Sequence, residues 1–71
     1  LLMFKKKKKN TVADILLQEI NLTKLELEAA YSHFENVVDP DLISSCIYHI
    51  NSIQDRYKYL LKQLKSAESH E

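Results

Sequence analysis

The sequence predicts an all-α protein, folded as an antiparallel hairpin of two helices. Three observations support this: the 71-residue chain has no glycine, it has one proline near its middle, and its apolar residues recur in alternating steps of three and four. Phosphate-binding loops, glycine hairpin turns and dinucleotide-binding motifs need a residue that adopts positive φ, so the absence of glycine excludes them. A chain of this length forms one small domain.

The first helix is expected over about residues 11–38, a stretch that neither proline nor glycine interrupts. Its apolar residues form a heptad seam with one polar member, Thr23. The seam consists of Ala13, Leu16, Ile20, Thr23, Leu27, Ala30, Phe34 and Val37. Thr11 or Asn10 is the expected N-cap, and Asp14 adds a carboxylate to the first turn, where the helix dipole favours negative charge.

The break between the helices is marked by an Asp-Pro pair. Asp39 is expected to cap the second helix while Pro40 takes its first position, where the missing N–H costs nothing. Asp41 adds negative charge to the same helix end. Val38 and Ile43 stand at the positions that form a hydrophobic staple, so we expect them to touch.

The second helix is expected over about residues 40–66. Its seam reads Ile43, Cys46, Ile50, Ile53, Tyr57, Leu60 and Leu64. The predicted domain organisation is therefore a basic, disordered tail at 1–10, a helical hairpin at 11–68 and a frayed end at 69–71. A short connection makes the helices antiparallel and places Leu27 opposite Ile50.

Two helices alone leave the flanks of their seam open, and apolar residues also lie away from the seam. On the first helix Leu22 and Leu25 belong to such a second stripe, and on the second helix Tyr48 and Tyr59 share the outward face. These four residues are the candidate interaction contacts. We expect the hairpin to be completed by oligomerisation into a helical bundle or to dock on another helical protein. The alternative is that they are ordinary isolated surface residues.

The net charge is zero, but the charges are segregated along the chain. Eight acidic residues and the single Lys24 lie between Asn10 and Asp55, whereas a lysine run precedes them and a basic cluster follows. Because a hairpin brings its termini together, its open end should be basic. The candidate anion contacts, for an anionic membrane surface or nucleic acid, are Lys5, Lys6, Lys7, Lys8, Lys9, Arg56, Lys58, Lys62 and Lys65. The alternative is a solvated terminal run with no ligand.

No constellation for catalysis or for cofactor binding is apparent. Cys46 and His49 have a spacing that suits two metal ligands, but no second pair accompanies them, and a structural zinc site needs about four ligands. We therefore expect no enzyme, no cofactor, no metal site and no small-molecule substrate. The apolar Leu1–Phe4 precedes Lys5–Lys9, the reverse of a secretory signal, and a single cysteine excludes an internal disulfide; both favour a cytoplasmic protein.

The run LELEAAYSHFENVVDPDLISSCIYHI at residues 25–50, followed by QDRYKYLLKQLK at 54–65, resembles the YaaL-like family. These are small uncharacterised proteins of endospore-forming Gram-positive bacteria. The resemblance covers roughly residues 15 to 65 and implies a protein of unknown function whose relatives lie near recombination and sporulation genes. It implies no ligand or catalytic residue.

A second similarity is to the small sporulation aspartyl-phosphatase hairpins, which also fold as two antiparallel helices. Their Ser-Gln-Glu-Leu-Asp signature corresponds here to Ser52-Ile53-Gln54-Asp55, which lacks the leucine–aspartate pairing. A phosphatase-like action on a response regulator, with Gln54 or Asp55 at its site, is therefore a further alternative.

Overall fold

The computed structural model describes residues 11–69, which form two helices packed against each other. Helix α1 spans Val12–Asn36 and helix α2 spans Pro40–Ser69. The predicted all-α antiparallel hairpin is confirmed. Helix α1 ends two residues before the expected position 38, and α2 continues three residues beyond the expected position 66. The lysine run at 5–9, and with it the predicted basic tail, lies outside the described residues.

Helix α1 begins with a capping box. The Thr11 Oγ1 accepts a hydrogen bond from the Asp14 N–H at 3.1 Å, and the Asp14 carboxylate accepts one from the Thr11 N–H at 3.3 Å. Two N–H groups that the helix itself leaves unbonded are thereby satisfied. Of the two expected caps, Thr11 is the one used.

The connection between the helices follows the predicted Asp-Pro pattern. The Asp39 Oδ1 accepts from the Asp41 N–H, and the Asp39 carbonyl accepts from the Ile43 N–H, both at 2.9 Å. Pro40 is the first residue of α2, as predicted. The expected staple between Val38 and Ile43 is wrong, because Val38 is 87% exposed. The chain is extended at Val37, so that residue is half-buried and Val38 is directed into solvent.

The buried residues belong to the two predicted seams. They are Ile20, Thr23 and Ala30 in α1 and Cys46, Ile50, Ile53 and Leu60 in α2. Ala30, Ile50 and Ile53 form the core cluster, and Leu27 and Phe34 pack against it. The small Ala30 side chain leaves room for the two isoleucines across the interface. The core therefore lies between the second half of α1 and the first half of α2.

Thr23 is the polar member of the first seam and is 1% exposed. Its hydroxyl donates to the Glu19 carbonyl oxygen at 2.8 Å, one turn earlier in the same helix. A buried hydroxyl without a partner would be costly, but this one is satisfied locally and requires nothing from α2. Thr23 can therefore occupy a core position between two apolar residues.

The Asp39 cap should contribute measurably to stability. Replacing Asp39 by Ala removes the acceptor for the Asp41 N–H, and we expect a loss of about 0.5–2 kcal/mol in the free energy of unfolding. Urea denaturation followed by circular dichroism measures this loss. Ser44→Ala, at an exposed position in the first turns of α2, is the control and should change stability much less. Equal effects of the two substitutions would contradict the capping role.

The volume of the Thr23 side chain should matter more than its hydroxyl. Thr23→Val keeps the branched shape and removes a hydroxyl that bonds only its own helix, so we expect unchanged or slightly higher stability. Thr23→Ser keeps the hydroxyl but removes a buried methyl group, and should cost on the order of 1 kcal/mol. The same denaturation experiment compares them. A valine variant less stable than the serine variant would show that the hydroxyl is required.

Candidate protein-interaction surfaces

Helical spacing divides the outside of the hairpin into two broad faces, each crossing both helices, and two narrow outer edges. Residues seven apart lie almost above one another on a helix, so each face is built from two such columns flanking the seam. The polar face is defined by Glu19, Glu26 and His33 on α1 and His49, Arg56 and Gln63 on α2. The apolar face is defined by Leu17, Lys24 and Tyr31 on α1 and Ile47, Gln54 and Leu61 on α2.

The polar face is bridged by an ion pair between the helices. The Arg56 guanidinium donates to a Glu26 carboxylate oxygen at 3.0 Å. This hydrogen bond lowers the pKa of Glu26, partial desolvation opposes the change, and the charges of Arg56 and His49 lower it further. The same bond raises the pKa of Arg56. Both side chains are more than 40% exposed, so the pair contributes little to stability.

The apolar face carries large side chains that the hairpin covers only in part. Leu17, Tyr31, Ile47 and Leu61 are each between 41% and 46% exposed. The Gln54 Nε2 donates to the Tyr31 Oη at 2.6 Å, which joins the two columns across the seam. This hydrogen bond lies on the opposite side of the seam from the Glu26–Arg56 pair. One face is therefore joined by an ion pair and the other by a neutral hydrogen bond among apolar groups.

The four predicted interaction contacts lie on the outer edges and do not meet in one patch. Leu22 and Leu25 are 56% and 62% exposed on the edge of α1 that faces away from α2. Tyr48 and Tyr59 are 78% and 59% exposed on the opposite edge, along α2. The hairpin thus presents two separate apolar edges, one aliphatic and one aromatic.

The predicted anion contacts are also divided. Lys58, Lys62 and Lys65 are exposed near the end of α2, whereas Arg56 is engaged with Glu26 on the polar face. Lys5 to Lys9 lie outside the described residues. A shallow depression near the end of α2 is lined, among the described residues, by Leu61, Lys62, Leu64, Lys65 and Glu68.

The candidate chemical groups are not assembled into a site. Cys46 is a buried free thiol in the seam, and residues 11–69 hold no group of three or more potential metal ligands. Gln54 is bonded to Tyr31 on the apolar face, while Asp55 is exposed on the neighbouring outer edge. In the part of the chain that the structure describes, neither helix is long and apolar enough to cross a membrane.

Two features were missed at the level of the sequence: the Glu26–Arg56 pair and the apolar face. The signal for the face is the heptad spacing of Leu17 with Tyr31 and of Ile47 with Leu61, two columns beside the seam. The ion pair has a weaker signal, since it depends on the register between the helices.

Comparison with known proteins places residues 3–70 within the model of one family, described as a protein of unknown function (DUF2508). The match covers nearly the whole chain and confirms the expectation of a family without an assigned function. No curated protein and no solved structure matches the chain.

Removing Arg56 should raise the pKa of Glu26. The folded-state pKa of Glu26 is lowered, so its contribution to stability is present above the ordinary carboxyl pKa of about 4.3 and is lost as the pH falls through the folded value. An NMR titration of the Glu26 carboxyl group measures the change in Arg56→Gln. Lys62→Gln removes a charge elsewhere on α2 and should leave the midpoint in place. An unchanged midpoint in Arg56→Gln would show that the pair does not persist in solution.

Proposed function

Because the chain belongs to the DUF2508 family, whose function is unknown, we propose its function from its surfaces: it is a non-enzymatic interaction module that docks on a helical protein through its outer edges. The observation that carries this proposal is the exposure of Leu22, Leu25, Tyr48 and Tyr59, each more than half exposed. Soluble chains seldom leave rows of large apolar side chains uncovered unless a partner covers them.

The geometry of the edges suits a partner helix. On α1 the exposed Ile15, Leu22 and Leu25 follow one another at steps of seven and three residues, in a row that runs from beside the polar face to the side opposite the seam. A row of this kind packs into the groove of another helix in the same way that the inner seam packs against α2. Tyr48 and Tyr59 are three turns apart on their edge and provide two aromatic contacts with a polar end each. Tyrosine is favoured at interfaces because it buries a large area with little loss of conformational freedom.

The absence of an assembled chemical site agrees with a docking role. Within residues 11–69 the thiol is buried, no metal-ligand cluster exists, and the cross-helix ion pair is exposed rather than enclosed. The resemblance of this chain to the YaaL-like proteins supports a sporulation-associated role in the cytoplasm of endospore-forming bacteria. The identity of the docked protein follows from the experiment below.

A second candidate function is attachment to an anionic surface, membrane or nucleic acid, through the basic open end. Lys58, Lys62 and Lys65 are exposed along the last turns of α2, and in the sequence Lys5–Lys9 precede the start of α1. Such contacts release counterions and weaken with salt. Salt-sensitive retention on anionic vesicles or on DNA that is lost on deleting Lys5–Lys9 would support this candidate. Retention that is independent of salt would contradict it.

The aromatic edge should be required for partner binding. The Tyr48→Ser, Tyr59→Ser double variant should bind a partner captured from native extract at least about tenfold more weakly. Each substitution removes a large side chain that the complex would bury. The captured protein is identified by mass spectrometry and its affinity for the purified chain is measured by calorimetry. Capture at low and high salt separates apolar docking from the anionic candidate.

The matched control is Tyr48→Phe, Tyr59→Phe, which keeps the ring area and should bind nearly as the original chain does. Leu22→Ser, Leu25→Ser tests the aliphatic edge in the same way. Circular dichroism checks that every variant remains helical. Unchanged affinity in both serine variants would exclude the outer edges as the docking surface.

A further inference from the structure

The apolar face is the largest surface that the proposed function leaves unused. Its two columns lie side by side along the seam, and the hydrogen bond between Gln54 and Tyr31 joins them. Two helices that pack side by side leave a shallow groove between them, and a third helix laid in that groove rests on the columns beside the seam. Leu17 and Tyr31 are two heptads apart, about 21 Å along α1, so the groove accommodates about four turns of helix.

The two rims of this groove carry opposite charges. Residues three before or four after a member of the apolar face lie on its outer side and form the rims. The α1 rim consists of Asp14, Asn21, Glu28 and Glu35, and the α2 rim consists of Ser44, Asn51, Lys58 and Lys65. All of these residues are exposed. The charged residues of the α1 rim are therefore all acidic, and those of the α2 rim are all basic.

The opposite charges of the two rims overlap along the length of the groove. Glu28 precedes Tyr31 by three residues, and Lys58 follows Gln54 by four residues. Because the helices run in opposite directions, both steps lead about one turn from the Tyr31–Gln54 hydrogen bond toward the open end. Glu28 and Lys58 therefore lie at similar levels on opposite rims.

The rim charges have no counter-ion within the hairpin. Among residues 11–69 the one ion pair is the bond between the helices on the polar face. The floor of the groove also contains a charge, because Lys24 is an exposed member of the apolar face. A ligand that covers this face must therefore match one basic group in the floor, carboxylates on one rim and ammonium groups on the other.

We propose that the apolar face binds one amphipathic helix of a partner protein, with basic residues on the side that meets the α1 rim and acidic residues on the side that meets the α2 rim. The apolar stripe of this helix covers the half-exposed side chains of the face, and an acidic residue within the stripe meets Lys24. Charges on both flanks fix the direction in which the helix lies, as they do in coiled coils. This surface is separate from the outer edges that the proposed function uses.

Three synthetic peptides test the charge pattern. Each is three heptads long, with leucine at a and d and with glutamate at one central a position to meet Lys24. The mixed peptide has lysine at e and glutamate at g, whereas the other two have lysine or glutamate at both. Fluorescence anisotropy of labelled peptides, at nanomolar concentrations where they are monomeric, measures binding at low salt. The mixed peptide should bind at least about tenfold more tightly, since each uniform peptide places like charges against one rim.

Neutralising the α2 rim should remove this preference. In Lys58→Gln, Lys65→Gln the remaining rim charges are acidic, so the peptide with lysine on both flanks should bind at least as tightly as the mixed peptide. The matched control is Ser45→Glu, Ser52→Glu, which makes the same change in net charge on the outer side of the polar face and should keep the preference. Circular dichroism checks that both variants remain helical.

A second pair of variants tests which surface holds the peptide. Ile47→Ser, Leu61→Ser removes two apolar side chains from the floor and should weaken binding of the mixed peptide at least about tenfold. Tyr48→Ser, Tyr59→Ser alters the aromatic edge and should leave this binding unchanged. The same edge variant tests the proposed function, so either proposal can fail while the other stands.

Three outcomes would overturn the proposal. Equal affinity of the three peptides, or no binding of any, rejects the charge pattern. Binding that is lost with the tyrosines but kept in Ile47→Ser, Leu61→Ser places the helix on the outer edge. A dimer of the free chain in sedimentation equilibrium that the mixed peptide does not dissociate shows that a second copy covers the face instead.

Discussion

The hairpin depends on a single strip of contact between two helices. Ile53 and Thr23 are almost completely buried, while residues one position to either side on each helix are exposed or half-exposed. With no third element among the described residues to cover it, the strip must supply the packing that fixes the rotation of both helices. That rotation in turn decides which residues form the polar face, the apolar face and the two outer edges.

The sequence predicts the parts of this structure that depend on local chemistry. Thr11 and Asp14 form a capping box because the two residues lie three positions apart in the sequence. Asp39 and Pro40 start α2 in the same way, through contacts between residues close together in the sequence. The seams are also predictable, since heptad spacing alone selects the buried side of a helix. Val38 shows where local reasoning fails: its packing depends on the path of the chain through the turn, and that path directs it into solvent.

Contacts across the interface were harder to predict because they depend on register. Side chains on a helix tilt toward its N-terminus, and in an antiparallel pair the two tilts point in opposite directions along the common axis. Residues that touch are therefore shifted from those whose backbones are level. The pairs Glu26–Arg56 and Tyr31–Gln54 both show this shift, as each lies several residues beyond the simple reflection about the turn. The long side chains of each pair extend this shift, and spacing rules for residues within one helix do not describe a contact between two helices.

The distribution of polar groups argues that the four surfaces are not equivalent. The cross-helix ion pair faces water on one broad face, so its charged groups are already paired with each other and solvated. The other broad face joins its helices through a neutral hydrogen bond beside half-exposed leucine, isoleucine and tyrosine side chains, and the outer edges expose still larger fractions of theirs. A two-helix layer buries one side of each helix and leaves the other sides exposed. The limited core of the hairpin and its exposed apolar surfaces thus have one physical origin.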